Sequence, residues 1–386
     1  MNGGKGMKKN NYFSNKWSSL PLGELATLGR KSGVTKVDSE QFIELSRVTH
    51  RDLSSDSYVL NQKQSQEEYV YKGDVIYGDG TILVSLNRIH RGIGLLRTQA
   101  VVSMGICGIK ISSEKVSPEY LFYYLLWLRK YLPKHERWTI NYLKSLMIPL
   151  PPDHVQQHIV TLLSKINAIN EKNRKAIMLI DIYITALYLS QFKDDKKGGI
   201  YEERTLREYV EEIEFGASFR KNESLLSAPI LKGRPNLALF EVWEENWEKD
   251  DIVLKNAPLA RFGDILCYIK GDKDSKEPMV IVHTWSYPIA FSNEWVRIKP
   301  LSHMSSEYLA AFLRAEYSKV SLTLRTCVRK DLSNNLLELP IYIPTEINQR
   351  LFTSMVRKIN NISKMHHKSL IALDILNSVL NDRFFH

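Results

Sequence analysis

Cysteine is scarce in this sequence, which has three among its 386 residues: Cys107, Cys267 and Cys327. None belongs to a Cys-x-x-Cys pair, and an odd number leaves one thiol over, so the pattern argues against a disulfide framework or a zinc ribbon. Long apolar runs are also missing, because the longest, YLFYYLLWL from Tyr120, has nine residues, whereas a bilayer span needs roughly 20. The polar N-terminal stretch lacks the apolar segment of a signal peptide. We therefore expect a cytoplasmic protein with no membrane-bound part.

Recognisable catalytic motifs are missing as well. The sequence has no GxxxxGK[ST] phosphate loop, and the GDG at Gly78 lacks the third glycine of a dinucleotide fingerprint. His154 and His158 have the i, i+4 spacing of a zinc-binding helix, but Gln replaces the Glu that a metalloprotease uses as its base. We interpret both as surface histidines and predict no metal, no cofactor and no catalytic residue in this chain.

Acidic residues are outnumbered by basic ones. The chain has 53 Lys and Arg against 43 Asp and Glu, a formal net charge of +10 and a pI near 9.2. Summed positive charge raises the local concentration of phosphate groups and steers encounter with them. The composition favours a polyanionic partner.

What the sequence does contain is an internal repeat. The stretch PPDHVQQHIVTLLSKINAINEK begins at Pro151, and IPTEINQRLFTSMVRKINNISK begins at Ile343. Repeats of solenoid proteins are 20 to 50 residues long, whereas these two stretches begin 192 residues apart. The spacing indicates a duplicated domain. The clearest matching positions are Gln157 and Gln349, at an offset of 192, and Asp181 and Asp374, at an offset of 193.

The repeat extends upstream of these segments. YKGDVIYG around Gly73 matches RFGDILCY around Gly263, and VSPEYLFYYLLW matches MSSEYLAAFLRA. LGELATLGRKSG from Leu22 faintly echoes LREYVEEIEFGAS from Leu206, at an offset of 184. We interpret each Gly-Asp pair as a turn before a buried strand and not as a catalytic acid.

Each half combines short strands with one long helix. β-branched, Gly-punctuated runs predict strands and turns, and the prolines of MIPLPP cannot lie inside a helix, so a helix must begin at Asp153, an acceptable N-cap. The prediction is an α+β fold with two duplicated domains separated by a long antiparallel two-helix coiled coil. The predicted divisions are a tail 1–16, a first domain 17–152, a first helix 153–192, a linker 193–200, a second domain 201–344 and a second helix 345–386.

Both long segments have an apolar pattern that repeats every seven residues. The first apolar position of each heptad, a, falls at Ile159 in the first segment and at Phe352 in the second, and the other apolar position, d, lies three residues after each a. A rod with an apolar stripe must bury it, and its duplicate is the obvious partner, in an antiparallel pair with a pseudo-two-fold axis near Asn173 and His366. The alternative is that each helix packs on its own domain. The predicted helix-pair core comprises Ile159, Ile166, Ile169, Asn173, Ile180, Leu187, Ile359, Ile362, His366, Leu373 and Leu380.

Basic residues cluster in short segments of both domains. Arg suits phosphates and the paired acceptors of guanine in the major groove, although a basic surface run is often merely solvated. The candidate DNA-binding residues are Arg88, His90, Arg91, Lys134, Arg137, Trp138, Lys232, Arg234, Lys270, Arg325, Arg329 and Lys330.

This architecture resembles the specificity subunits of type I restriction-modification systems. The motifs that carry the resemblance are LGEL after Trp17, KGDVIYG, SPEYLFYYL and INYLKSLMIPLPPDHVQQHIVTLLSKI, with the weaker second set FGDILCY, SSEYLAAFL and LELPIYIPTEINQRLF. The resemblance covers essentially the whole chain after the tail. The second set departs from the family pattern where YIPTEINQRLF replaces the usual Pro-Pro and Ile.

The resemblance implies a non-catalytic reader of double-stranded DNA. Each target-recognition domain would read one half of a bipartite target, the helices would fix the spacer, and two methyltransferase subunits would dock beside them, with restriction and translocase subunits completing the complex. S-adenosylmethionine, ATP and Mg would belong to those partners. Two alternatives are a specificity-like subunit of another methylation-based phage-defence system and a DNA-binding protein with its own nuclease activity.

Overall fold

The structure, a computed structural model, divides into two compact units. It describes residues 17–38, 41–54, 59–60, 67–72, 74–86, 92–131, 138–192, 203–218, 226–227, 229–231, 233, 247–248, 252–253, 258–269, 279–316 and 336–385. The first unit comprises Met1–Glu171 and Ile371–His386, and the second comprises Lys172–Leu370. The units therefore divide inside the long helices and not at the predicted domain ends, because the strands and short helices of each unit pack against one half of each long helix.

The first unit contains two main β-sheets and a buried helix. Its sheets have the strand orders β2-β12-β9-β10-β6 and β3-β8-β11-β5, and two-stranded pairs join β1 to β13 and β4 to β7. The strands are β1 Ser19–Pro21, β2 Ala26–Leu28, β3 Thr35–Lys36, β4 Gln41–Glu44, β5 Ser46–Val48, β6 Val59–Leu60, β7 Glu67–Val70, β8 Val75–Tyr77, β9 Ile82–Ser85, β10 Ile93–Leu96, β11 Ala100–Val102, β12 Ile106–Ile111 and β13 Met147–Pro149. The helices are α1 Leu22–Leu25, α2 His50–Ser54, α3 Pro118–Arg129, α4 Ile140–Ser145 and the first half of α5 Asp153–Phe192.

Helix α3 lies at the centre of the first core. Ser117 is its N-cap, whose hydroxyl accepts a hydrogen bond from the N–H of Tyr120 (3.2 Å), and Pro118 occupies the first turn. All residues from 120 to 127 are buried, as the apolar run predicts. They pack with strand residues and with Ile159 of α5 in one cluster.

The second unit repeats this design. Its sheets have the orders β15-β24-β21-β22 and β18-β17-β23-β20, with two-stranded pairs β14-β25 and β16-β19. The strands are β14 Glu203–Thr205, β15 Val210–Phe215, β16 Leu226–Ser227, β17 Ile230–Leu231, β18 Trp247–Glu248, β19 Ile252–Val253, β20 Leu259–Ala260, β21 Ile265–Tyr268, β22 Val280–Val282, β23 Ile289–Phe291, β24 Trp295–Pro300 and β25 Pro340–Tyr342. Helices α6 Ser306–Ala315 and α7 Glu346–Phe385 complete it, together with the second half of α5.

Sheet topology confirms the duplication. In each unit an early strand, β2 or β15, pairs antiparallel with the strand before the buried helix, β12 or β24. Strand β12 or β24 also pairs with β9 or β21, respectively, and that strand pairs in turn with β10 or β22. In the other sheet β11 and β23 each pair parallel to an earlier strand. The order β2-β12-β9-β10 thus recurs as β15-β24-β21-β22, and the order β8-β11-β5 recurs as β20-β23-β17. The edge strands differ, since β3 pairs with β8 whereas β18 pairs with β17.

This topology corrects the alignment of the Gly-Asp motifs. The N–H of Gly80 donates to Leu96 O (3.0 Å) and that of Gly263 donates to His283 O (2.8 Å), and both glycines have positive φ, +72° and +87°. The counterpart of Gly263 is therefore Gly80, which precedes β9, and the predicted match to Gly73 is wrong.

The two Gly-Asp turns look alike because both precede a strand. The N–H of Asp74 donates to Tyr71 O (3.0 Å), and that of Asp264 donates to Arg261 O (2.9 Å). The interpretation as turns is confirmed. However, Asp74 precedes β8, whereas Asp264 precedes β21, whose counterpart in the first unit is the next strand along the chain, β9.

The long helices pair antiparallel within each unit. In the first unit, Asn170 of α5 approaches Asp374 of α7 (3.4 Å), while Ile159 clusters with Phe385. In the second unit, the predicted polar pair forms: His366 Nδ1 lies 2.9 Å from Asn173 Oδ1, and Asn173 Nδ2 donates to Ser369 Oγ (2.9 Å). The paired-helix prediction is confirmed in the described residues.

The predicted d position of the heptad is wrong, whereas the a position lies in the seam. The a positions are buried or half-buried, but the predicted d residues Ile169 and Ile362 are 45% and 51% exposed. The buried partners lie four residues after each a and not three: Leu163, Asn170, Ile177 and Ile184 in α5, and Val356, Ser363 and Leu370 in α7. The pattern misled because Asn170 and Ser363 occupy the seam, while isoleucines face outward.

Candidate functional site

The described residues hold no group of three His, Cys, Asp or Glu side chains that could bind a metal ion. His154 and His158 are exposed on α5, as the sequence indicates. Cys107 and Cys267 are buried free thiols, and burial raises the pKa of Cys267 to about 12, so neither suits nucleophilic chemistry.

Most predicted DNA-binding residues lie outside the described residues. These are Arg88, His90, Arg91, Lys134, Arg137, Lys232, Arg234, Lys270, Arg325, Arg329 and Lys330. The exception is Trp138, which is 1% exposed and packs in the first core beside Tyr142. Trp138 is therefore a core residue and not a surface contact for DNA. Burial of its large apolar ring is favourable, whereas the basic residues beside it in the sequence had indicated a surface position.

A buried glutamine joins the start of the long helix to the start of the buried helix in each unit. In the first unit, Gln156 Oε1 accepts from the N–H of Ser117 (3.0 Å), and Gln156 Nε2 donates to Pro151 O (2.9 Å). We call these contacts the glutamine bridge. Because Ser117 is also the N-cap of α3, the bridge fixes the start of α3 against the start of α5.

The second unit contains the same glutamine bridge. Gln349 Oε1 accepts from the N–H of Ser305 (3.3 Å), and its Nε2 donates to Pro344 O (3.2 Å). Gln156 and not Gln157 is therefore the counterpart of Gln349. The signal was present in the sequence, since the constant offset of 193 in the rest of the helix selects Gln156.

Other supports recur beside the bridge. Tyr120 donates its hydroxyl to Pro149 O (3.1 Å), and Tyr308 donates to Tyr342 O (2.5 Å). Burial raises the pKa of Tyr120 far above its ordinary value, so this phenol stays a neutral donor. The repeated supports give both units the same junction between strand, buried helix and long helix.

Each unit also has an anchor of its own. In the first, Asp382 of α7 accepts hydrogen bonds from Trp127 Nε1 (3.1 Å) and from the Tyr131 hydroxyl (2.8 Å). In the second, the fully buried Arg314 side chain pairs with Asp181 of α5 and donates through Nε to Val280 O (2.8 Å). Sequence comparison missed these anchors because they do not repeat.

The long helices carry a second apolar face, directed away from the seam. In the second unit this face of α5 consists of Met178, Leu179, Ile182 and Tyr183, which are 45–57% exposed. In the first unit the equivalent face of α7 consists of Ile371, Ile375, Leu376 and Val379, which are 38–61% exposed. We call these the outward faces. Three positions correspond at the offset of 193: Met178 with Ile371, Ile182 with Ile375, and Tyr183 with Leu376.

The outward face explains the high hydropathy of α5. By length and composition this helix is apolar enough to cross a membrane, as core helices of water-soluble proteins also can be. Its buried side, however, holds the amides of Gln156 in the glutamine bridge and of Asn170 and Asn173 in the seam, each costly in lipid. An apolar stripe on a helix is normally buried against another element, so the outward face indicates a further packing partner.

Comparison with known proteins gives one family match. Residues 15–178 match the family model described as the type I restriction modification DNA specificity domain. No curated protein matches the chain.

Three solved structures are similar over the whole length. The S subunit of a type I restriction-modification system from M. genitalium is 15% identical, with 98% of both chains covered and a TM-score of 0.49. A structure described for complex assembly and conformational transition of the type I R-M system is 15% identical, with 97% of this chain and 98% of that chain covered and a TM-score of 0.47. The HsdS subunit from Thermoanaerobacter tengcongensis is 16% identical, with 98% and 99% covered and a TM-score of 0.34.

Proposed function

We propose, from the premise that residues 15–178 belong to the type I restriction modification DNA specificity domain family, that this chain reads a bipartite DNA target and docks two methyltransferase subunits. As a specificity subunit it is not itself catalytic. Its own contribution is to choose the sequence and to hold its partners in register with it.

The observation that carries the docking proposal is the repetition of the outward face. Three positions in each copy are apolar and at least 38% exposed, although water is an unfavourable neighbour for such residues and contiguous apolar patches on a protein surface usually mark binding sites. A repeated surface suits two identical partners, because each partner then meets the same shape and chemistry. We expect one methyltransferase subunit on the face of α5 around Ile182 and another on the face of α7 around Ile375.

The contrast between features that recur in both units and residues that differ between them supports the proposal that the chain reads two DNA half-sites. The glutamine bridge, the capped buried helix and the outward face recur. The two recognition regions, which we define as residues 17–152 and 201–344, share the order of their central strands but few identical residues. Two different half-sites require two different reading surfaces on one framework. The net charge of +10 favours approach to the phosphate backbone.

The paired helices would act as the ruler of the target. Helices α5 and α7 each contain 40 residues, about 60 Å at the rise of an α-helix. Their length and the polar contacts of Asn173 fix how the helices are aligned, and this would set the spacer between half-sites. Methyl transfer from S-adenosylmethionine, and the ATP- and Mg-dependent work of restriction and translocase subunits, would take place in the partners. The chain would work in the cytoplasm.

The test is the composition of the complex. We expect native mass spectrometry of the chain co-expressed with its methyltransferase to give two methyltransferase subunits per chain, bound to a target duplex. Ile182→Glu should remove one subunit, Ile375→Glu should remove one, and the double variant should remove both, so each single variant is the control of the other. A wild-type complex with one methyltransferase, or loss of both subunits from Ile182→Glu alone, would contradict the docking proposal.

A further inference from the structure

The turn between β11 and β12 presents one methionine to solvent. Met104 is 90% exposed, the largest exposed fraction among the described large apolar residues, and Gly105 shapes the turn with φ +83°. Isolated exposed apolar residues are common and need no explanation. What distinguishes Met104 is the set of contacts that holds its backbone.

The His50 ring forms two hydrogen bonds that hold the turn. His50 Nε2 lies 2.9 Å from Met104 O, and its Nδ1 lies 2.8 Å from Ser85 Oγ. A carbonyl oxygen can only accept, so Nε2 donates to Met104 O, and in the neutral imidazole Nδ1 then accepts from the Ser85 hydroxyl. Ser85 is fully buried, which ties the exposed turn to the core through two hydrogen bonds.

The backbone of the turn is held on both sides as well. Leu86 N–H donates to Gly105 O (2.8 Å), and Ser103 N–H donates to Val48 O (2.9 Å). A side chain at Gly105 would place its Cβ 3.2 Å from His50 Nε2, in a backbone conformation that only glycine adopts readily. Met104 therefore projects from a fixed frame.

The turn contacts a residue that precedes a basic segment in the sequence. Residues 87–91, NRIHR, include the candidate DNA-binding residues Arg88, His90 and Arg91. Leu86, just before the segment, bonds to the Met104 turn, and Gly92, just after it, accepts from Ser85 N–H (2.9 Å). The described residues on either side of the segment, Leu86 and Gly92, are thus hydrogen-bonded to Gly105 of the turn and to the adjacent Ser85.

The second unit has the same frame with a different tip. There Ile269 N–H donates to Glu294 O (2.8 Å) and Ser292 N–H donates to Leu231 O (3.0 Å), which matches the two backbone hydrogen bonds of the Met104 turn, while Gly233 stands in the place of His50. The residue in the place of Met104 is Asn293, whose amide donates to Ser218 Oγ (3.0 Å). A constant frame with a different tip is what two readers of different half-sites require.

We propose that Met104 is a specificity-determining residue of the first recognition region, which places its thioether side chain against an apolar part of a base in the first half-site. The inference rests on the proposed function. The apolar surface of DNA is either a thymine methyl group in the major groove or the face of a base at a deformable step. His50 acts as the positioning residue that holds the turn.

The experiment is selection from duplex libraries randomised in one half-site at a time, with the full chain in complex with its methyltransferase. Met104→Ala should lower the preference at one or two adjacent positions of the first half-site by about five- to thirtyfold and leave the second half-site unchanged. His50→Ala should relax the same positions. Val34→Ala is the matched control, because Val34 is 59% exposed but bonds to Ile76 O, at the opposite end of the same sheet.

Two further duplex series separate the sources of apolar contact. If a thymine methyl is read, uracil in place of that thymine should weaken wild-type binding and leave Met104→Ala unaffected. If a base step is opened, 2-aminopurine at the step should brighten with wild type only. If wild type selects a bipartite target and Met104→Ala selects the same one, the assignment of Met104 is overturned alone. If wild type enriches no sequence, the proposed function fails and the assignment with it.

Discussion

Gln156 and Gln349 occupy the same place in the two units. Each accepts a hydrogen bond from the N–H of the serine that caps the buried helix, Ser117 or Ser305, and each donates to a proline carbonyl five residues earlier in the chain. A side-chain amide has both a donor and an acceptor, so one residue satisfies two backbone groups that strand and helix ends leave unpaired. This explains why glutamine recurs where the neighbouring side chains have changed.

We expect Gln156→Ala to lower the free energy of unfolding of the first unit by about 2 kcal/mol, because it leaves a buried N–H and a buried carbonyl without partners. Gln349→Ala should do the same for the second unit. Gln157→Ala is the matched control, since Gln157 is exposed, and its effect should stay within about 0.5 kcal/mol. Urea unfolding monitored by circular dichroism measures all three. Equal effects of the changes at 156 and 157 would contradict the assignment of the glutamine bridge.

The anchor between Arg314 and Asp181 should be more sensitive to the loss of one partner than to the loss of both. Arg314→Leu introduces the residue type that the first unit has at the corresponding position, Leu126, but it leaves Asp181 without its buried cation, so we expect a loss of about 3 kcal/mol. The double variant with Asp181→Leu should recover part of that loss. Denaturant unfolding of both single variants and the double variant gives the coupling energy. A coupling energy near zero would show that the pair does not hold the unit together.

How far the sequence predicts this fold depends on the kind of signal. The prolines before Asp153 fix the start of α5, and the 193-residue offset fixes its partner, since both are local or repeated features. The outward isoleucines Ile169 and Ile362 entered the predicted seam because hydropathy cannot distinguish two apolar faces of one helix. Asn170 was missed for the complementary reason, as its burial depends on a partner far along the chain.

The site followed the same rule. Repeated supports can be found by aligning the two halves, whereas Arg314 and Asp181, 133 residues apart, meet only through tertiary packing. Trp138 was misassigned because its basic neighbours in the sequence suggested a surface, while the fold turns its ring into the core. Charge runs describe a segment, but they do not say which side chain of the segment faces out.

The second unit should lose stability in mildly acidic solution because of His283. This residue is fully buried, its Nε2 donates to Tyr287 O (3.0 Å), and its Nδ1 has no partner among the described residues. Burial lowers the pKa of His283 below 6.5. As the pH falls through about 6.5, the unfolded chain binds a proton that the folded unit does not, so the free energy of unfolding falls. Thermal unfolding between pH 7.5 and 5.5 should follow this direction.

The control for this prediction is His283→Leu, which introduces the residue type of the corresponding position, Leu96. We expect its stability to depend less on pH over the same range. Asp264 is common to both proteins and acts in the opposite sense, because burial raises the pKa of its carboxyl and folding is then favoured as the pH falls through that value. A His283→Leu protein with the full wild-type pH dependence would show that another group is responsible.

The basic segments of the two recognition regions should behave as separable readers. Arg88→Ala or Arg137→Ala should weaken binding in a way that depends on the first half-site alone, and Arg325→Ala or Arg329→Ala on the second alone. An arginine that contacts a base should cost about 1–3 kcal/mol and relax one position, whereas a lysine that contacts phosphate, such as Lys134, should weaken all sequences alike and reduce the salt dependence. Competition binding with the methyltransferase present, against targets randomised in one half at a time and at two salt concentrations, distinguishes these outcomes. If the change at Arg325 relaxed the half-site that Arg137 governs, independent reading by the two units would be excluded.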